Sequence, residues 1–318
     1  MDIPLVLVDA RMESIASSFL GSLELAGYRC VVEDLRVAVK QSLSPYALLL
    51  SSADADTLGT LRLLRRKQPG ILGVLCAGTV EEATVATASV DAVVAQSRLG
   101  DEIVRVLEEC HDLRGRRHRE ALSVARALVR GLSIRQVETR EHQERLAAWG
   151  KLLANAIGDA QLAEQVELGA IVHDIGMIGV PDAVLTKQGT LSAEEWVLVR
   201  KHPEYGAKQL KDLDLLRSAV PLVLSHHERW DGTGYPKGLR RKTIPLVARV
   251  FAVCDAFEAM TADRPYRKAA AVAEAQEKIA NERGKAFDPE VVDAFMTLDT
   301  SELLIAGSQR ASLWPSLT

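Results

Sequence analysis

Aromatic residues are scarce, 4% of the 318 positions, and cysteine is scarcer, with four residues in all. So few aromatic side chains exclude the base-stacking platforms of single-strand binders. Cys30, Cys76, Cys110 and Cys254 stand far apart with no C-x-x-C pairing, which excludes a zinc knuckle and a disulfide frame and points to buried thiols in a reducing compartment. An excess of one charge is also missing: 39 basic residues face 43 acidic ones, for a net charge of −4, and no nucleic-acid polymer is expected as a partner. No apolar run approaches the roughly 18 residues of a membrane span. The chain opens Met1-Asp2 without a basic stretch, so the expected location is cytoplasmic. What is present is 47% apolar residues, dominated by Leu, Val and Ala, in a length that suits two domains. Seven histidines are also present, six of them between residues 118 and 227.

The first third carries short apolar runs at Leu5 to Val8, Cys30 to Val32, Ala47 to Leu50, Ile71 to Leu75 and Ala92 to Val94, separated by stretches of helical length. Near-continuous runs suit strands buried on both faces of a parallel sheet. Five such units resemble the receiver domain of two-component response regulators. That resemblance calls for a phosphoacceptor Asp after the third strand, an acidic pair after the first and a Lys after the fifth. Here Asp9 is followed by Ala10, Ser51 stands at the acceptor position and Gln96 at the position of the Lys. Without a carboxylate nucleophile and a full set of oxygen ligands, phosphoryl chemistry has no footing. The expectation is a degenerate receiver-like unit used for packing or dimerisation, with Asp54 or Asp56 as acceptor only if the strand register were displaced.

No proline occurs from Asp101 to Ile157, and Leu122, Ala125, Leu128, Val129 and Leu132 recur at steps of three and four. This predicts an amphipathic linker helix, or two in succession if Gly131 and Ser133 interrupt it. Its apolar stripe suggests a homodimer. Arg114, Arg116, Arg117, His118 and Arg119 read as a solvated face or a docking patch.

The histidines of the second half stand with carboxylates. Glu138 and His142 are four apart in a helical stretch, which places them on one face. His173-Asp174 ends an apolar helix just before Gly176, a candidate C-cap. His202 precedes Pro203, His226-His227 closes the apolar stretch Val220 to Leu224, and Asp255 lies in the apolar run Val250 to Phe257. Each alone reads as a hydrogen-bonded packing residue. Together they would be costly to bury without compensation, and a metal cluster supplies it. Imidazole and carboxylate donors without thiolate suit Fe, Mn or Zn. Adjacent helical residues diverge by about 100 degrees, so His173 and Asp174 fit two ions better than one.

Several blocks then agree in order: His173-Asp174-Ile175-Gly176 through Val180-Pro181-Asp182, His227-Glu228-Arg229-Trp230-Asp231-Gly232-Thr233-Gly234-Tyr235-Pro236, Asp263-Arg264-Pro265-Tyr266-Arg267, and Phe287-Asp288-Pro289. From about residue 120 to 297 the chain resembles the HD-GYP family of cyclic dinucleotide phosphodiesterases. The resemblance implies that His173, Asp174, His202, His226, His227 and Asp255 hold two divalent ions, usually iron or manganese, and that Glu138 and His142 add a third. It implies metal-assisted hydrolysis of a phosphodiester of cyclic di-GMP, giving pGpG or GMP. Asp174, Arg264 and Arg267 would take catalytic roles, the two arginines on the substrate phosphates. Gly234 and Tyr235 would line the substrate side, in a loop that also docks signalling partners, with Asp231 fixing the loop by hydrogen bonds.

The expected fold class is multidomain, an N-terminal α/β receiver-like unit with a parallel five-stranded sheet followed by an all-α HD-type helical domain. Its expected boundaries are 1–112 for the receiver-like unit, 113–136 for the linker helix, 137–300 for the metal-binding domain and 301–318 for a tail. Two departures from the family pattern stand out: Met177 replaces a Lys that approaches the substrate phosphate, and Gln136 replaces an Asp. They leave open a weak or inactive homologue that senses a cyclic dinucleotide or binds a partner. A simpler HD nucleotidase is disfavoured by the Gly-Tyr-Pro block. His111 and His118 receive no role.

Overall fold

The computed structural model describes residues 5–16, 19–34, 47–51, 54–67, 71–77, 90–134, 139–158, 160–262 and 268–299. The chain divides into two compact units, Met1–Arg117 and His118–Thr318.

In the first unit, strands β1 (Leu5–Asp9), β2 (Arg29–Glu33), β3 (Ala47–Leu50), β4 (Leu72–Ala77) and β5 (Ala92–Ala95) form one parallel sheet in the order β2-β1-β3-β4-β5. Every strand predicted from the apolar runs is present. Alternation along them feeds two faces. Val6, Val8, Leu49, Val74 and Cys76 pack with Phe19, with Leu23 of α1 (Leu20–Leu25) and with Leu99, Ile103 and Leu107. Leu7, Leu48, Leu50 and Leu75 pack with Leu61 and Leu64 of α2 (Ala55–Lys67) on the other face.

Strand order reverses between β1 and β3, where doubly wound sheets ordinarily bind ligands at the carboxyl ends of their strands. Here that crevice is filled by the chain itself. Asp9, 2% exposed, accepts from Arg11 Nη2 at 2.7 Å and from Ser51 Oγ at 2.6 Å. The same guanidinium reaches Thr57 Oγ1 at 2.6 Å and Asp54 Oδ2 at 3.2 Å. Burial pushes the Asp9 carboxyl up, but the hydrogen bonds from Arg11 and Ser51 outweigh it and hold it below its usual range. Because β3 ends at Leu50, Ser51 follows the third strand directly, and Gln96 follows β5. Asp54 stands three positions further along the sequence, where its Oδ1 accepts from Thr57 N at 2.8 Å.

Helix α3 runs from Leu99 to Ile134, 36 residues, and so starts well before the expected position 113. The reason is that Leu99, Ile103, Leu107 and Cys110 already repeat at helical spacing against the sheet. From Ala121 on, its buried side chains, Leu122, Ala125, Val129 and Leu132, belong to the core of the second unit. The stripe that suggested a homodimer is therefore used within the chain, with Leu128 left 41% exposed. Arg116, Arg117 and Arg119 are exposed, in keeping with a solvated face.

The second unit is helical: α4 (Arg140–Ala156), α5 (Ala160–Val172), α6 (Ala193–Val199), α7 (His202–Leu210), α8 (Val220–Ser225), α9 (Leu246–Thr261), α10 (Val272–Asn281) and α11 (Pro289–Met296). Its core joins Leu146 and Leu153 of α4, Val166 and Ala170 of α5, Leu222 and Val223 of α8, Phe251 and Phe257 of α9 and Phe295 of α11. Trp149 meets Phe257 edge-on at 4.8 Å, and full burial of a ring such as Phe257 is worth about 1.5–3 kcal/mol. His118 has a partner in this unit: its Nε2 lies 3.1 Å from Oε2 of the buried Glu167, which Lys151 Nζ approaches at 3.0 Å. The His111 side chain lies outside the described residues. Among the described residues, no helix is long and apolar enough to cross a membrane.

Candidate metal centre

Helix ends bring the histidines together. His173 and Asp174 follow α5 and lead into a 3-10 turn, Ile175–Gly179. The sequence suggested Gly176 as a C-cap, but it lies within the 3-10 turn, and its task is close approach. A Cβ there would stand 1.9 Å from the carbonyl oxygen of His202, so only glycine lets α7 begin beside Asp174. His226 caps the carboxyl end of α8, and Asp255 lies on α9.

The imidazoles share one arrangement. His173 Nδ1 lies 2.9 Å from Ala170 O, His202 Nδ1 2.8 Å from Val199 O, and His226 Nδ1 2.8 Å from Val223 O. A carbonyl can only accept, so each Nδ1 carries the proton, and in that neutral tautomer each ring turns an Nε2 lone pair inward. Those lone pairs converge. His202 Nε2 is 3.1 Å from His226 Nε2, and the two lie 3.0 and 3.5 Å from Asp174 Oδ1. Oδ1 is buried and accepts no well-directed hydrogen bond, and His173 Nε2 is 3.9 Å from Oδ2. One ligating atom from each of Asp174, His202, His226 and His227 falls within 4.8 Å of the others. Opposed lone pairs around a carboxylate are unfavourable unless a cation lies between them, so the donor set fits a divalent metal of the Fe, Mn or Zn kind.

The electrostatics agree. Burial pushes His226 down against the pull of Asp174, and it pushes His227 down to about 2, aided by the neighbouring imidazoles. Both rings are therefore neutral and able to ligate at ordinary pH. Burial wins at Asp255, which is raised despite His173, His142 and His226 nearby.

His142 stands apart, with its ring 5.9 Å from that of His173. The helix bearing it begins at Arg140 with Thr139 as N-cap. Glu138, Gln136, Arg264 and Arg267 lie outside the described residues. A residue the sequence reading missed orients His142: Glu258 Oε2 is 2.9 Å from His142 Nδ1, and its other oxygen pairs with Arg145. Asp255 and Glu258 are three apart on α9, and that spacing was the available signal.

The loop after His227 is held by its own carboxylates. The buried Glu228 accepts from Lys237 N at 2.8 Å and Leu239 N at 2.9 Å, and Asp231 from Thr233 N at 2.9 Å and Oγ1 at 2.6 Å. Gly234 packs against the His227 carbonyl, where a Cβ would stand 2.5 Å from the oxygen. Tyr235 thereby stacks on His227, centroids 4.6 Å apart at 26°. Asp288 of the downstream block pairs with Arg249 and caps α11 through Glu290 N at 2.9 Å. Met177 packs against the helical core.

A helical unit with a His-Asp dipeptide at the end of one helix and further histidines converging on that Asp is an HD-type domain. Residues 126–291, half of the chain, match the family model described as HD domain, and the chain belongs to that family. Its Gly-Tyr-Pro block and its relatives place it in the HD-GYP group. The chain is 38% identical over 168 residues to a cyclic di-GMP phosphodiesterase of Thermotoga maritima, covering 52% of this chain and 46% of the relative. It is 37% identical to the cyclic di-GMP phosphodiesterase response regulator RpfG of Xanthomonas campestris pv. campestris, covering 57% of this chain and 48% of that one. It is 33% identical to a 3'3'-cGAMP-specific phosphodiesterase of Vibrio cholerae, covering 53% and 33%. The chain thus spans about half the length of these relatives, or less.

Proposed function

We propose that this protein is a metal-dependent phosphodiesterase that opens a cyclic dinucleotide, with cyclic di-GMP as substrate and pGpG or GMP as product. The observation that carries the reading is the convergence of Nε2 lone pairs on the buried Oδ1 of Asp174. His173, Asp174, His202, His226, His227 and Asp255 would hold two divalent ions, iron first and manganese or zinc next, with Glu138 and His142 adding a third. Such ions supply Lewis acidity, making hydroxide available near neutral pH and spreading charge on the phosphoryl oxygens. The chain's own part is orientation and charge. The three carbonyl bonds lock the rings. Asp174 would be a ligand to those ions, and Tyr235 with Gly234 shapes the wall over His227. Arg264 and Arg267 would take the phosphates, because guanidinium stays charged and bonds two oxygens at once. We place the protein in the cytoplasm, with the Gly-Tyr-Pro loop as a surface for a signalling partner.

Met177 favours a second reading, a homologue that binds the nucleotide and turns it over slowly or not at all. Its thioether packs against apolar neighbours and carries no charge toward a phosphate. Anaerobic assay with Fe(II) or Mn(II) separates the two: product formation supports the enzyme, and tight binding without product supports the sensor. In the enzyme, Met177→Lys raises turnover about 10- to 100-fold, in proportion to one added charge-stabilising donor. An unchanged rate removes Met177 as a reason for slow turnover.

A further inference from the structure

Beyond Arg264 and Arg267, a further cation stands at the wall over His227. We infer that this cation, Arg200, is a substrate-binding residue that faces a phosphate of the cyclic dinucleotide. This rests on the phosphodiesterase reading and extends it to a residue that none of the motifs contains.

Arg200 follows α6 and stands two residues before His202. Its guanidinium carbon lies 5.3 Å from the centroid of the Tyr235 ring and 6.0 Å from that of Trp196. Tyr235 in turn stacks on His227, whose ligating atom is one of the four that converge. Guanidinium, phenol and imidazole thus form a short ladder that ends at the metal centre.

The charge of Arg200 is also unspent. Several cations of this unit are committed to carboxylates, Arg145 to Glu258, Arg249 to Asp288, Arg229 to Glu282, Lys187 to Glu195 and Lys242 to Glu290, whereas, among the described residues, Lys237 and Arg240 are not. Arg200 is exposed and, among the described residues, pairs with no carboxylate. An aromatic face attracts a guanidinium through its quadrupole but takes none of its in-plane N–H donors. Arg200 is therefore held in place with its hydrogen-bonding capacity intact, the state that recognition of a phosphate oxygen requires. The rings restrict where the side chain goes, so less freedom is lost when the anion arrives.

The test compares the metal-loaded full chain with Arg200→Ala and Arg200→Lys. It measures kinetics with cyclic di-GMP and equilibrium binding of a hydrolysis-resistant phosphorothioate analogue. Removing one charge-assisted contact raises KM and the analogue's Kd about tenfold or more in Arg200→Ala, with kcat changed less. Arg200→Lys recovers part of the affinity, and the gap between parent and Ala variant narrows as salt rises. Metal content and Tm stay at parental values. Unchanged KM and Kd in Arg200→Ala, beside an active parent, overturn the assignment alone, as does a weakened variant that has lost metal or Tm. A metal-loaded parent that neither binds nor hydrolyses a cyclic dinucleotide overturns the phosphodiesterase reading and the role of Arg200 with it.

Discussion

Asp9 in the sheet unit and Asp174 in the helical unit each bring a buried carboxylate oxygen to the end of a secondary-structure element, and they are satisfied in opposite ways. Asp9 receives a guanidinium and a hydroxyl from its own chain, so its charge is compensated without any ligand. Asp174 receives rings whose inward nitrogens are acceptors, so its surroundings are completed only by a cation. The difference shows two ways in which a chain compensates a buried carboxylate oxygen. A single arginine placed two residues after the carboxylate fills the crevice from within, while a metal centre keeps donors that oppose one another.

The comparison breaks first at Asp174. Asp174→Asn removes the charge that balances the cations, and bound metal measured by elemental analysis falls below one equivalent, with activity down about 10³-fold. Retained metal and activity would mean that the histidines suffice without it.

Acid sharpens the contrast next. His226 and His227 titrate lower in the folded chain than the usual histidine value of about 6.5, so below that pH the unfolded chain binds protons that the folded one does not. Stability of the metal-free helical unit therefore falls as pH drops through 6.5, by about 1.4 kcal/mol per pH unit for each such ring. Asp9 is held below 3.8, so its contribution persists until pH falls through that value. Trp149, Trp196 and Trp230 lie in the helical unit and no tryptophan precedes residue 118, so tryptophan fluorescence does not report the sheet unit. The acid transition of the helical unit should precede the loss of amide signals from β1 and β3 in NMR spectra.

The smallest effect belongs to Arg11→Ala. It leaves a buried carboxylate short of its main partner and destabilises the sheet unit by about 1–3 kcal/mol in urea unfolding, with the metal centre unaffected. A change under 0.5 kcal/mol would mean that Ser51 and water replace the guanidinium.

Sequence reading reached the sheet because fully buried parallel strands leave continuous apolar runs, and all five were legible at Leu5, Cys30, Ala47, Ile71 and Ala92. It reached the clustered histidines because neighbouring motifs carried them in order. It missed Glu258, whose partner His142 is 116 positions away, and Arg200, which belongs to no motif. Both act across helices, and no local spacing encodes such a pairing. The start of α3 was missed for another reason: its apolar stripe changes partners along its length, so no single periodic window showed the whole helix.

The carbonyls of Ala170, Val199 and Val223 belong to the last turns of α5, α6 and α8, where helices leave acceptors unfilled. Each is filled by the ring it orients. Helix termination and ligand geometry are thus one interaction, and fraying of a helix end and release of a ligand are one event. A drifting lineage cannot relax the centre without also loosening three helix ends, so the ligand set can outlast the chemistry it was built for.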